Sequence, residues 1–355
     1  MSDKVDLRSL FPDELKSLCG ELGEKQFRAG QLFSWMHEKQ VKSLEEMTNI
    51  PAAFKKKLSE NAELVTLRPV QVLTSAVDGT KKFLFECPNG NVIESVWMQY
   101  KHGNSICISS QVGCRMGCRF CASTLDGCVR SLRASEMLEQ VYRIREITGE
   151  KISNIVIMGS GEPFDNYDNL LKFLRLVTDE KGMNFSIRNI TVSSCGLVPQ
   201  IKAFAEENLP VTLALSLHAT TDETRRKLMP IANKYSLNEV LSACDEYFEK
   251  TGRRISYEFS LVSGVNDTRE EALRLAALLH GKNCHVNLIP VNPVKERDFK
   301  RPFREVILDF KNTLEKSGIN ATIRREMGRD INGACGQLRK SYLEEGQERS
   351  FEITE

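Results

Sequence analysis

From 134 to 315 the chain alternates short apolar runs with amphipathic stretches, and this alternation restricts the possible folds more than any other feature. The apolar runs at 154–158, 189–193, 212–216, 255–261 and 285–289 have strand length and β-branched content. Between and around them, 134–148, 169–177, 198–206, 237–250, 269–279 and 304–315 show helical spacing, with Ser135 as an expected cap of the first. Repeated β/α units predict a parallel sheet wound into an open or closed barrel. In such folds the chemistry gathers at the carboxyl ends of the strands.

The first hundred residues follow other periods. Residues 7–64 read as helices: Leu10, Leu15 and Leu18 share a face, and 27–37 carries Phe27, Leu32, Phe33, Trp35 and Met36. Ser43 with Glu46 predicts a capping box, and Pro51 predicts the first turn of another helix. Phe33 and Trp35 suit a small core better than a base-stacking platform, and Lys55, Lys56 and Lys57 suit a solvated helix face. From 65 the period becomes two, with hairpin turns at Asp78-Gly79 and Asn89-Gly90. Glu94 sits in the alternating run VIESVWMQY, and alternation alone places it on a wet strand face. The 355 residues thus divide into a helical unit at 1–64, a β-rich connection at 65–99 and a β/α unit at 100–345.

Cysteine usage narrows the chemistry. Eleven cysteines, unevenly spaced, do not form a secreted disulfide framework and suit a reducing compartment. No apolar run approaches ~18 residues, so neither membrane insertion nor secretion is expected. Within CISSQVGCRMGCRFC, Cys114, Cys118 and Cys121 stand as Cys-x3-Cys-x2-Cys. Three thiolates on one loop can hold three irons of a cubane cluster and leave the fourth iron open to a ligand. A structural zinc site wants four closed ligands, and no second cysteine pair follows. A net charge of +1 does not advertise nucleic-acid binding. Local basic stretches do so better: Lys101, Arg115, Arg119, Arg130 and Arg133, then Lys295, Arg297, Lys300, Arg301 and Arg304.

Four strand ends hold polar residues. Met158-Gly159-Ser160-Gly161-Glu162-Pro163 ends one strand, where glycines let backbone approach a ligand and Glu162 can accept from an amine. Ser193 closes the next, Ser216-Leu217-His218 another, and Asn292 follows the last. Each singly also fits a structural part: a capping serine, a satisfied histidine, an Asn-Pro turn.

The cysteine loop resembles that of the radical S-adenosylmethionine (SAM) enzymes. The wider strings CISSQVGC, GCRFCAS and SLHATTDETRRKLMPI resemble the RlmN/Cfr family of rRNA and tRNA adenine methyltransferases. That resemblance implies an α/β fold: a partial (β/α)6 barrel with a small N-terminal helical domain that helps hold RNA. It implies a [4Fe-4S] cluster on Cys114, Cys118 and Cys121, and SAM held by Gly161, Glu162, Ser193, Ser216, Leu217, His218 and Asn292. It implies that Cys335, in the setting GACGQL, carries a methyl group, that Cys107 is its partner thiol, and that Glu94 accepts the ring proton. The implied reaction methylates carbon 2 of an adenine in 23S rRNA and of the adenine 3′ of the tRNA anticodon. A flavodoxin- or ferredoxin-like electron donor, a monomer and a cytoplasmic location complete the expectation. Three alternatives compete: carbon 8 methylation of the same rRNA adenine, a glycyl-radical activase, and a zinc-stabilised RNA-binding protein. The activase lacks its extra ferredoxin-type cysteines here. The remaining six cysteines (Cys19, Cys87, Cys128, Cys195, Cys244 and Cys284) are expected to pack, although the family has an apolar residue where Cys128 stands.

Overall fold

The computed structural model describes residues 4–292 and 298–331. Strands are β1 (Val5–Asp6), β2 (Ala62–Glu63), β3 (Arg68–Thr74), β4 (Lys81–Glu86), β5 (Val92–Tyr100), β6 (Gly103–Cys107), β7 (Gln111–Gly113) and β8 (Cys128–Ser131). They continue with β9 (Ile152–Ile157), β10 (Ile190–Ser194), β11 (Thr212–Ser216), β12 (Ile255–Leu261), β13 (Cys284–Pro290) and β14 (Ala321–Ile323). The helices are α1 (Pro12–Glu21), α2 (Arg28–Phe33), α3 (Ala52–Asn61), α4 (Ala134–Thr148), α5 (Tyr167–Thr178), α6 (Val198–Glu206), α7 (Asp222–Leu228), α8 (Leu237–Thr251), α9 (Arg269–Leu279) and α10 (Arg304–Lys316).

One sheet organises the chain, in the order β14-β13-β12-β11-β10-β9-β6-β5-β4-β3. From β6 through β9 to β14 every pairing is parallel, and each of β6, β9, β10, β11, β12 and β13 is followed by helix. This is the partial (β/α)6 barrel. Strands β3, β4 and β5 extend the same sheet antiparallel beyond β6, so residues 65–99 are hydrogen-bonded into it. Short α7 and strand β14 are additions that periodicity did not mark.

Local departures from expectation have physical causes. Ser135 lies inside the first turn of α4, where its hydroxyl donates to Asp6 (2.6 Å) and its N–H to Ser9 Oγ (3.0 Å). The capping carboxylate is Glu136, which accepts the Arg133 N–H (2.8 Å). Glu46 does accept the Ser43 N–H (3.0 Å), but it also takes that of Lys42, and the segment closes as turns with no helix. Pro51 stands just ahead of α3 rather than within it. Phe33 is buried in the core, whereas Trp35 is half-buried under the Lys39 ammonium.

The N-terminal helices share one hydrophobic core with the barrel, and α4 is the seam. Arg8 donates to the Val65 carbonyl (2.9 Å) and pairs with Glu139, both without exposed surface. Glu139 also accepts the Leu67 N–H (3.0 Å), and Arg143 donates to the Gln40 carbonyl (2.7 Å). His37, in a π-helical turn that follows α2, places Nδ1 3.0 Å from the Tyr142 hydroxyl. Burial holds His37 down, from 6.5 to about 3. The unfolded chain therefore binds a proton between pH 6.5 and about 3 that the folded chain refuses, and stability falls as pH falls through that window. Relative to His37→Gln, the wild-type chain should lose about 1.4 kcal/mol of unfolding free energy per pH unit below 6.5. Urea denaturation of both proteins at pH 7.0 and 5.5 checks this; parallel pH dependences would contradict it.

Candidate active site

A cavity of about 300 Å³ opens at the carboxyl ends of the parallel strands, within the size range of ligand pockets. Cys114, Cys118 and Cys121 line it, and so does Cys107. Gly161, Glu162, Ser193, Ser216, His218 and Asn292 line it too, each from its strand end. Leu217 does not: its side chain is in the core, and its N–H donates to the Glu258 carbonyl (3.0 Å). Cys335 lies outside the described residues. Met327, near the end of those residues, packs with Val96, Met98 and Cys107 and lines the cavity.

The cysteine loop is built from the sheet outward. Strand β6 ends at Cys107, and β7 pairs with β8 so that Gly113 opposes Cys128. Gly113 has φ +80, and a Cβ there would stand 2.1 Å from the Gly127 carbonyl oxygen, so only glycine fits. The Cys114 N–H then donates to that carbonyl (2.8 Å). Thr124 Oγ1 donates to the Cys118 (3.1 Å) and Cys121 (2.9 Å) carbonyls and closes the loop. The Arg119 N–H donates to the Leu228 carbonyl (2.9 Å), tying the loop to the end of α7. Cys128, at the foot of this loop, is half-buried, whereas Cys195 is buried against Cys118.

The glycines at 159–161 serve the chain itself. A Cβ on Gly161 would meet the Gln111 N at 2.7 Å, so this strand end abuts the segment leading to the cysteine loop. Ser110 and Gln111 N–H groups donate to the Ser160 carbonyl (2.9 and 3.0 Å). Glu162 is buried and accepts the N–H groups of Cys195 (2.8 Å) and Phe164 (3.2 Å); burial pushes its carboxyl up. His218 has φ +57 and accepts the Ser260 N–H on Nδ1 (2.9 Å). Its ring packs edge-on to Phe120, and burial takes it down to about 3, so it stays neutral with its proton on Nε2.

Glu94 departs from the wet-face expectation. It is only 4% exposed, and its carboxylate lies 3.3 Å from the Lys82 ammonium, which has no exposed surface. The reason is that β5 is covered on both faces: Ile93 and Trp97 enter the main core, while Val96 and Met98 face the cavity. Glu94 shares the side of Val96 and Met98 but does not line the cavity.

Sequence reading missed Glu258, Arg324 and Arg325, which all line the cavity. Glu258 is buried, pushed up by burial, and accepts from Asn287 (2.7 Å) and Ser256 (3.1 Å). Ser256, Glu258 and Ser260 alternate with apolar residues along β12, a signal that was legible. The arginines follow β14, which was not.

The residues present fit an iron–sulfur cluster. Three thiols on one anchored loop face a common cavity, and burial pushes Cys114 up to about 12 and raises Cys118 as well, so metal binding must drive their ionisation.

Comparison with known proteins decides the family. The Radical SAM superfamily profile matches residues 108–276, and that of the ribosomal RNA large subunit methyltransferase N-terminal domain matches 5–64. A Lachnospira eligens protein named "Probable dual-specificity RNA methyltransferase RlmN" is 62% identical over 96% of this chain and 97% of its own. The chain belongs to the RlmN family of radical SAM RNA methyltransferases. A Lachnoclostridium phytofermentans relative of the same name is 59% identical over 97% of each chain. The crystal structure of a radical SAM methyltransferase from Sphaerobacter thermophilus superposes with TM-score 0.89, at 41% identity, over 94% of this chain and 98% of that one. The protein is therefore an RNA methyltransferase whose cofactors are a [4Fe-4S] cluster and SAM. No described helix is long and apolar enough to cross a membrane.

Replacing any of Cys114, Cys118 or Cys121 by Ala should lower iron in anaerobically purified protein from about four per chain to background. Iron and acid-labile sulfide assays read this directly. A triple variant with a full iron complement would exclude these ligands.

Proposed function

We propose that the enzyme methylates carbon 2 of an adenine in 23S rRNA, and of the adenine 3′ of the tRNA anticodon, through a methyl group carried on Cys335. The observation that carries this reading is the meeting of Cys107 with the three loop cysteines at one cavity, with Met327 of the segment that precedes Cys335 packed against Cys107. Cys114, Cys118 and Cys121 hold the cluster; Gly161, Glu162, Ser193, Ser216, His218 and Asn292 hold SAM, and the Leu217 backbone fixes the turn between Ser216 and His218. Residues 1–64 contact RNA, the β-rich stretch 65–99 presents Glu94, and 100–345 form the catalytic core. The reductant is of flavodoxin or ferredoxin type, and the enzyme works as a cytoplasmic monomer.

The Cys335 thiolate first takes a methyl group from SAM, since a thiolate is a strong nucleophile. When bound, the cluster and a second SAM supply a radical that removes hydrogen from that methyl group. Carbon 2 of adenine is electron-poor, so a radical carbon suits it where a methyl cation does not. Glu94, on the cavity-facing side of β5, takes the ring proton, and the adduct's unpaired electron returns to the flavodoxin- or ferredoxin-type redox partner, so that aromaticity is restored. The Cys107 thiolate then attacks the Cys335 sulfur: a disulfide forms, the sulfur–carbon bond breaks, and its electron pair goes to the methylene carbon, which takes a proton. Cys107 can do this because it lines the cavity while its backbone is held in β6.

The two thiols have unequal roles, and this is testable. Cys335→Ala should form no RNA adduct, because it lacks the methyl carrier. Cys107→Ala should stall with RNA bonded through Cys335, visible on a denaturing gel as a ribonuclease-sensitive shift. Turnover by either variant near the wild-type rate, or equal behaviour of the two, would overturn these roles.

A further inference from the structure

Burying a charge without an opposite charge is costly, and buried cations are accordingly paired. Arg8 and Arg143 share Glu139, and Lys82 has Glu94. Arg225, on α7, is as buried as Arg8, yet it makes no ion pair among the described residues. Asp222, three residues before it, accepts the Leu237 N–H instead (2.7 Å). Arg225 Nη2 donates to the Cys195 carbonyl (2.7 Å) and Nε to the Leu217 carbonyl (3.3 Å), at the carboxyl ends of β10 and β11. Nη1 is buried with no partner. Cys195 packs against Cys118 together with Leu228 and Met229, so the guanidinium lies behind the cysteine loop.

We infer that Arg225 is the counter-ion of the iron–sulfur cluster and that its charge raises the cluster's reduction potential. The inference rests on ligation by Cys114, Cys118 and Cys121. A four-iron cluster with three thiolates carries net negative charge and gains more on reduction. A fixed cation in a low-dielectric setting favours the reduced form, while the carbonyls hold the guanidinium in place. Arg225 is a tuning residue, distinct from the groups that contact substrate.

Redox titration of the loaded enzyme, followed by electron paramagnetic resonance, tests this. Arg225→Gln, which keeps a hydrogen-bond donor but loses the charge, should shift the cluster's potential to more negative values. The expected loss is at least tenfold in the reduction equilibrium, about 59 mV for one electron. Arg225→Lys, which keeps the charge, should recover most of it. Equal potentials in all three proteins, or equal shifts in Gln and Lys variants, would overturn the inference. Urea denaturation of the iron-free proteins separates charge from scaffold. Without the cluster the cation is uncompensated, so iron-free Arg225→Gln should be at least as stable as iron-free wild type. If it is markedly less stable, or fails to fold, Arg225 is a structural brace and the inference is wrong. Retention of iron by the triple cysteine variant would instead remove the ligand reading beneath it.

Discussion

The hydrogen-bonded junction at β6 is the constraint on which the site depends. On one side β6 pairs antiparallel with β5; on the other it pairs parallel with β9. One rung crosses that junction: Lys82 opposes Val96, Val96 opposes Cys107, and Cys107 opposes Val156. A one-residue slip would turn Cys107 away from the cavity and Glu94 away from Lys82. The chain leaving β6 is then pressed against Gly159 and Gly161, where any side chain would collide with 108–111. The cysteine loop therefore starts from a backbone with little freedom, which suits a loop that brings three thiols to one cavity.

Buried charge marks the boundary between scaffold and chemistry. The Arg8–Glu139–Arg143 group lies at the seam with the N-terminal helices, where it binds the Val65 and Gln40 carbonyls and the Leu67 N–H. Lys82 and Glu94 form a pair on the sheet side that faces the cavity. His218 Nδ1 and both carboxylate oxygens of Glu162 accept from backbone N–H groups, which fixes the strand ends. Such preorganisation costs little during reaction because the groups need not reorient.

The β/α succession was legible because strands covered on both faces read as continuous apolar runs, and the helices between them keep a 3.6-residue period. Strand β11 (Thr212–Ser216) and helices α6 and α9 fall where periodicity puts them. Short elements were not legible: three residues in β14 and seven in α7 carry too few periods to register. Glu94 misled for a related reason. Alternation says which side of a strand a residue takes, but not whether that side is covered, and here Lys82 and the cavity wall cover it. Ser135 looked like a cap because a cap and a buried interdomain hydroxyl have the same local sequence; only Asp6, 129 positions away, tells them apart. Leu217 stood between two cavity residues and followed strand geometry into the core.

The most direct measurement is mass spectrometry of nucleosides from 23S rRNA and tRNA after anaerobic incubation with reductant and SAM labelled in its methyl group. The predicted product is 2-methyladenosine, formed with equal amounts of 5′-deoxyadenosine and S-adenosylhomocysteine and carrying a methyl group that retains two of its original hydrogens. Formation of 8-methyladenosine, or transfer of the methyl group with all three of its hydrogens, would contradict a radical route to carbon 2 through Cys335.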